Sequence, residues 1–188
     1  QNKEYIFKRI NDWLNTHFGE NHGITIALTE NDISSSNPNI VSVVYASMLG
    51  TFADNGVEIF TPWSWKTGMW ETLHLFSRYA KTTSVRTTSS GEAAVSGYST
   101  VNGSNDSLTV ILVNRDLSAS RTVTVNLAGF SVPNGNYNIL ELSSLPSAET
   151  FISHTSNALK SKTVAVSGNS FTVTLPYLST TAVLLAGT

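Results

Sequence analysis

The stretch Ile24-Thr25-Ile26-Ala27-Leu28-Thr29-Glu30 is an apolar run closed by a carboxylate, and the polar pair Asn31-Asp32 follows at once. A run of this length bounded by polar residues reads as a buried strand. A charge at the end of a buried strand is costly unless something uses or pairs it. In β/α architectures the C-terminal rim of the strands is where functional groups collect. A second run of the same kind, Gly56 to Thr61, delivers Pro62-Trp63-Ser64-Trp65 at its end. The two runs therefore place one acid and two indoles at neighbouring strand ends, which reads as one half of a sugar-cleaving site.

Working outward, the flanking segments read as helices. Ile6, Ile10, Trp13, Leu14 and Phe18 recur at helical spacing, and Gly19 offers a stop. Asn37-Pro38 opens a second helix, because proline suits the first helical position. Ile40, Val44, Met48 and Phe52 give its apolar face, and Gly56 ends it. Trp70, Leu73, Phe76 and Ala80 mark a third helix. The order helix, strand, helix, strand, helix predicts parallel neighbouring strands with a right-handed crossover.

The pattern changes near residue 82. Beyond it no helix is expected and period-two alternation dominates. Leu108, Val110 and Leu112 share one strand face, with Ile111 and Val113 on the other. Val123, Val125 and Leu127 alternate with polar residues, as do Phe171, Val173 and Leu175, and Val183 and Leu185. Asn102-Gly103, Pro133-Asn134-Gly135 and Gly168-Asn169 supply turns. The fold class is therefore α/β plus all-β. Residues 1–82 are expected to be the C-terminal part of a (β/α)8 TIM barrel, its last two strands with their helices. Residues 83–188 are expected to be an antiparallel β-sandwich domain. The irregular segment from Ser143 to Lys160 reads as a surface excursion. Two parallel strands cannot close a barrel and leave unpaired edges. Either the remaining strands lie in sequence outside these residues or the unit pairs with a second copy; the first is the expectation.

Composition narrows the class of partner. The 188 residues are 13% charged, with net charge −2 and 40% hydrophobic content. With a pI near 6.1 there is no basic footprint, so nucleic acid is not an expected partner. Without cysteine, disulfides and thiolate metal sites are excluded. No apolar run is long enough for a membrane helix, and Gln1-Asn2-Lys3-Glu4 leads into a helix and is not a signal peptide. The Ser-, Thr-, Asn- and Gly-rich balance fits a secreted bacterial protein whose export signal is not in this stretch. His17, His22, His74 and His154 lack metal-ligand spacing, and no Gly-rich phosphate loop is present. Neither a metal nor a cofactor is expected.

The segment Ile24 to Asp32 resembles the nucleophile strand of glycoside hydrolase family 44. So do the following helix, with Val44-Tyr45-Ala46-Ser47-Met48-Leu49-Gly50-Thr51-Phe52, and the strand Gly56-Val57-Glu58-Ile59-Phe60-Thr61-Pro62-Trp63. The β-rich part is echoed in Ser107-Leu108-Thr109-Val110-Ile111-Leu112-Val113-Asn114-Arg115-Asp116. The resemblance runs through nearly the whole chain and is sharpest at Thr29-Glu30. It implies the C-terminal portion of a secreted, retaining endo-β-1,4-glucanase or xyloglucanase. Glu30 then maps to the nucleophile and Trp63 to the aromatic platform, with β-1,4-glucan polysaccharide and the missing N-terminal barrel portion as partners. One departure stands out: Asn31, Asp32, Ile33 and a Ser run follow the acid, where that family often has an aromatic residue and a Gly-rich loop.

Retaining glycosidases need two carboxyl groups roughly 5 Å apart across the scissile bond. The second is not found in this chain. Glu58 lies at the wrong end of its strand, Glu71 opens the third helix where an acid suits the dipole, and Asp32 reads as a loop hydrogen-bonding group. This chain alone is therefore expected not to hydrolyse glycosides. Each site residue also has a plainer reading. Glu30 would be a surface or salt-bridged residue, Trp63 and Trp65 core residues, Trp70 and Tyr45 helix packing, and Lys66 a solvated lysine. The alternative function is a noncatalytic carbohydrate-binding or structural β-sandwich fragment. The absence of Trp from residues 83–188 counts against an aromatic platform there.

Overall fold

The structure, a computed structural model, describes residues 6–187; Gln1 to Glu4 lie outside that range. The first helix, α1, spans Ile6–Phe18, and Gly19 in the left-handed region (φ 80°) closes it. β1 (Ile26–Leu28) leads to α2 (Pro38–Asp54), and β2 (Val57–Phe60) leads to α3 (Met69–Tyr79). Asn37 caps α2, its side-chain oxygen accepting from the Asn39 amide at 2.9 Å, with Pro38 in the first turn. These start and stop signals act as expected: Asn37 satisfies an orphan donor, Pro38 removes one, and the Gly19 amide donates to the orphan Asn15 carbonyl at 3.0 Å.

β1 and β2 pair in parallel, Leu28 opposite Phe60, with a register irregularity between Ile26 and Ala27. No further strand joins them among the described residues. The apolar run 24–30 is thus a strand only over Ile26–Leu28, and of these only Ile26 is buried. The expectation of a buried strand reaching Glu30 is corrected on both counts. A strand with one paired edge and helices on one side has nothing to cover Ile24 or Ala27.

The rest of the chain is strand and loop. β3 (Thr83–Val85), β4 (Val95–Val101), β5 (Ser107–Asn114), β7 (Gly135–Leu142), β8 (Lys160–Val166) and β10 (Ser179–Ala186) make a curled antiparallel sheet in the order β3-β4-β5-β10-β7-β8. β6 (Arg121–Asn126) and β9 (Ser170–Leu175) form a separate antiparallel ribbon. The alternation read in β5 decides which face meets what. Leu108, Val110 and Leu112 pack towards the ribbon with Phe171 and Leu175. Ile111 and Val113 pack on the opposite face against Val43 and Ala46 of α2 and Leu75 of α3. Side chains buried this fully contribute on the order of 1.5–3 kcal/mol each.

α2 serves two cores. Its other side, Val41 and Tyr45, joins Met69 of α3 and Ile33 of the loop after β1. The layers therefore run from the β1–β2 pair through α2 and α3 to the six-stranded sheet, and then to the ribbon. α1 buries no residue; its Phe7 ring meets Phe52 edge-on at 5.5 Å.

The segment 143–160 is not a free surface excursion. Leu145 is buried against the helices, and its backbone exchanges two hydrogen bonds with the Asn39 side chain at 2.7 and 3.2 Å. Further on, Glu71 accepts from the Thr150 hydroxyl at 2.8 Å and the Ala158 amide at 2.9 Å. The excursion is docked on α2 and α3, because burying its polar backbone requires partners.

Candidate functional site

The parallel pairing of β1 and β2 brings their C-terminal ends side by side. Beyond the last strand pair the backbones stay in contact. The Thr61 amide donates to Leu28 O at 3.0 Å, and the Trp63 amide donates to Asn31 O at 2.9 Å. The Thr61 hydroxyl donates to Thr29 O at 2.7 Å. Glu30 lies between these attachments, on the loop that faces Trp63. Its carboxylate is exposed and unpartnered among the described residues: of the plainer reading, the salt bridge is not found there, while the surface position is.

The tryptophans are likewise not core residues. Trp63 is 70% exposed, and Trp65 and Trp70 are 42% and 41% exposed. Trp65 and Trp70 lie face to face, with ring centroids 4.2 Å apart and planes 10° from parallel. Trp65 also meets the buried Tyr45 ring edge-on at 6.1 Å, which confirms Tyr45 as helix packing. β2 stops at Phe60, so strand alternation does not set the relative directions of Trp63 and Trp65. An exposed indole face is of the kind that stacks on the flat face of a sugar ring, and an exposed carboxylate is of the kind that acts as a nucleophile or base; the backbone bonds from Thr61 and Trp63 put the Trp63 loop alongside the loop that carries Glu30.

Asp32 and Lys66 join the two loops. Asp32 accepts from the Ser64 hydroxyl at 2.7 Å, and its two oxygens each stand 3.1 Å from the Lys66 ammonium. Lys66 also donates to the Ile33 carbonyl. The Ser64 hydroxyl first, then Lys66, hold the Asp32 carboxyl below its ordinary value. The expectation of a solvated Lys66 is corrected: its charge is spent on the Asp32 loop. Asp32 as a loop hydrogen-bonding group is as read. Glu58 is exposed within β2.

Glu71 departs from its reading as a helix-dipole acid. It is 1% exposed, with one oxygen holding the excursion and the other, Oε2, buried without a partner. Its neighbour His74 places Nε2 3.2 Å from Nδ1 of His154, and its own Nδ1 is buried and unpartnered. Eighty residues of sequence separate the two imidazoles, so no local spacing announces them. Among the described residues no group of three His, Cys, Asp or Glu side chains is disposed to hold a metal ion.

A cleft of about 1260 Å³ lies elsewhere, between β6 and the β4–β5 side of the sheet. Its walls include Val95, Gly97, Leu112, Val123 and Val125, and Phe130 is its one aromatic residue. No described helix is long and apolar enough to cross a membrane.

No curated protein matches the chain. Solved structures do. A family 44 glycoside hydrolase endoglucanase from Clostridium thermocellum aligns with a TM-score of 0.82 at 21% identity, over 96% of this chain and 35% of its own. A bifunctional glucanase-xylanase from a metagenome library aligns at 0.78 and 24% identity, over 97% of this chain and 34% of its own. An α-L-arabinofuranosidase from Thermotoga maritima aligns at 0.70 and 11% identity, over 97% of this chain and 48% of its own. The chain thus spans about a third of the length of the glucanases it matches, and it shares their fold, in line with the family 44 resemblance. A family model, the alpha-L-arabinofuranosidase C-terminal domain, matches residues 35–179, a stretch that begins past Glu30 and takes in all three rim tryptophans. With well over half of its length inside that match, the chain belongs to the alpha-L-arabinofuranosidase C-terminal domain family.

Proposed function

We propose that this chain is the C-terminal part of a retaining endo-β-1,4-glucanase acting on plant polysaccharides such as xyloglucan and soluble cellulose derivatives. In this reading residues 1–82 complete a (β/α)8 barrel and residues 83–188 form the β-sandwich that buttresses it. Glu30 is the nucleophile. Trp63, Trp65 and Trp70 are the substrate-binding wall. The enzyme is secreted, and it needs neither metal nor cofactor for the step assigned to Glu30. The remainder of the barrel is the chain's obligatory partner and supplies the acid.

The observation that carries the reading is the exposed, unpartnered Glu30 past the end of β1, on a loop hydrogen-bonded to the loop of Trp63, which is 70% exposed past the end of the parallel neighbour. In the two-step mechanism the carboxylate attacks the anomeric carbon while a second carboxyl protonates the departing oxygen. Water then cleaves the glycosyl ester with that second group acting as base. Asp32 is committed to Ser64 and Lys66, and Glu71 is buried under the excursion, so neither takes the acid's part. The noncatalytic binding alternative draws less support, because the large cleft beside β6 offers one aromatic ring and no tryptophan.

The test is Glu30→Gln in the longer enzyme that contains this chain, assayed on xyloglucan and carboxymethyl cellulose. Loss of turnover by about 10³-fold or more is expected for a covalent nucleophile. Turnover within a few-fold of the parent rejects the assignment. Glu30→Gly with added azide provides a second readout, since an external anion at the vacated place should restore bond cleavage and give a glycosyl azide.

A further inference from the structure

We infer that Asp32 and Lys66 are positioning residues: together they pin the loop that carries Glu30 to the loop that carries Trp63, and so fix the spacing between carboxylate and indole. The inference rests on the reading of Glu30 and Trp63 given above. The need for a pin follows from the strands. β1 has three residues and β2 four, and their ladder ends at Leu28 opposite Phe60. Glu30 and Trp63 both lie beyond that end. Sheet pairing therefore does not hold them, and loops free at both ends drift unless other bonds continue the ladder.

Those bonds are present. The Thr61 amide and hydroxyl and the Trp63 amide reach the backbone of residues 28, 29 and 31. The contacts past Asn31 then pass to side chains. Asp32 takes the Ser64 hydroxyl on one oxygen and Lys66 across both, while Lys66 also reaches the Ile33 carbonyl. Each end of this pin is anchored. Ile33 is buried in the small core with Val41, Tyr45 and Met69. The Lys66 amide lies 3.3 Å from the Met69 sulfur at the start of α3, one residue before Trp70. The pin thus joins the core, the acid loop and the start of the indole-bearing helix. Its ion pair is partly exposed, 28% at Lys66 and 49% at Asp32, and such pairs contribute little to global stability. Its effect should be local geometry, which is where a misplacement of about 1 Å costs roughly 10²-fold in rate.

Two measurements test this. In the present chain, hydrogen exchange of the Trp63 backbone amide, which donates to Asn31 O, reports the loop pairing directly. Lys66→Met should speed that exchange about tenfold or more while the amides of β5 and β10 keep their rates, and Lys66→Arg should restore most of the protection. Should Lys66→Met fold poorly, Asp32→Asn gives the same readout from the other partner. A Trp63 amide that exchanges at the parent rate in both variants overturns the inference. In the longer enzyme, Lys66→Met should lower kcat by about 10–10²-fold with KM within threefold, and Lys66→Arg should recover it; unchanged kcat also overturns it. If instead Glu30→Gln keeps its turnover while the exchange result stands, the glucanase reading fails and the pin does not.

Discussion

Gly50 sits in α2 where the helix crosses β4, and Gly50→Ala sets two general effects against each other. Helix propensity favours alanine over glycine in a helix interior by about 1 kcal/mol. The structure opposes it. A Cβ on Gly50 would stand 2.3, 2.4 and 2.5 Å from Cγ, Cδ1 and Cδ2 of the Tyr98 ring. That ring is fixed at both ends. Its Cα lies in the β4–β5 ladder opposite Ile111. Its hydroxyl donates to Ser47 O at 3.2 Å and lies 3.3 Å from the Thr51 hydroxyl. Overpacking a well-filled seam costs about 1–3 kcal/mol, and three ring atoms inside van der Waals contact put this case at the upper end. The difference, about 3 less about 1, is a net loss of roughly 2 kcal/mol. For a chain of this size that lowers Tm by roughly 4–8 °C. Urea unfolding of the 188-residue chain, with the slope checked for constancy, measures it. The decisive control is Tyr98→Ala. With the ring gone, Gly50→Ala should change sign and stabilise by about 1 kcal/mol. A Gly50→Ala variant as stable as the parent, or an equal loss in the Tyr98→Ala background, would refute the steric argument.

The remaining predictions concern pH. Burial first, then the charges of His154 and Arg78, lower the His74 pKa from its ordinary 6.5. The unfolded chain therefore takes up its proton first as pH falls, and the stability present above pH 6.5 is lost progressively below it. Urea midpoints taken from pH 8 to pH 5 should decline, and His74→Gln should flatten that decline; parallel slopes for the two proteins would count against the argument. Asp116 changes stability in the same direction, but at lower pH. The amides of Ser118 and Ala119, then Arg121, bring its carboxyl down from 3.8 to about 2. Its contribution is complete above pH 3.8 and disappears as pH falls through about 2. Asp116→Asn should be less stable than the parent at pH 6, and the gap in urea midpoint should close towards pH 2.

The sequence showed best those features whose cause is local. Asn37-Pro38 caps α2 and Gly19 ends α1 because the relevant donors and left-handed backbone lie within a few residues. The two faces of β5 were readable because Leu108, Val110 and Leu112 alternate with Ile111 and Val113, and each set found its own core. The extent of β1 was not readable. An apolar run sets where a strand is possible, while the number of neighbours sets how far it is paired and buried. Glu71 carried a signal that the helix-dipole reading passed over. It shares a helix face with Leu75, one turn on, and that face is fully buried. The His74–His154 and Asp32–Lys66 contacts had no local signal, since they arise from the docking of the excursion and from the pairing of β1 with β2.

Exposed apolar side chains are unevenly spread. Ile6, Trp13, Phe18, Ile24, Ile59 and Trp63 all belong to α1, the β1–β2 pair or their adjoining loops, while the strand-rich part exposes only Leu117, Ile152 and Tyr177 among its large hydrophobics. The first group surrounds a two-stranded sheet to which no further strand pairs among the described residues, and clustered exposed apolar side chains of this kind mark a surface suited to contact. The site nonetheless keeps a firm floor, because α2 is apolar around its circumference and packs on both sides. Val43 and Ala46 press on the sheet, and Val41 and Tyr45 press on the rim core that holds Ile33 and Met69. Tyr45 in turn touches Trp65. One helix therefore couples the sheet to the indole wall, and the seam at Gly50 and Tyr98 lies on that same helix. Displacing α2 there should move the wall as well as lower stability. In the Gly50→Ala variant the tryptophan fluorescence of the folded state should shift, although the substitution lies on the sheet side of α2; an unchanged emission spectrum with the expected loss of stability would mean that the helix absorbs the clash without passing it to the rim.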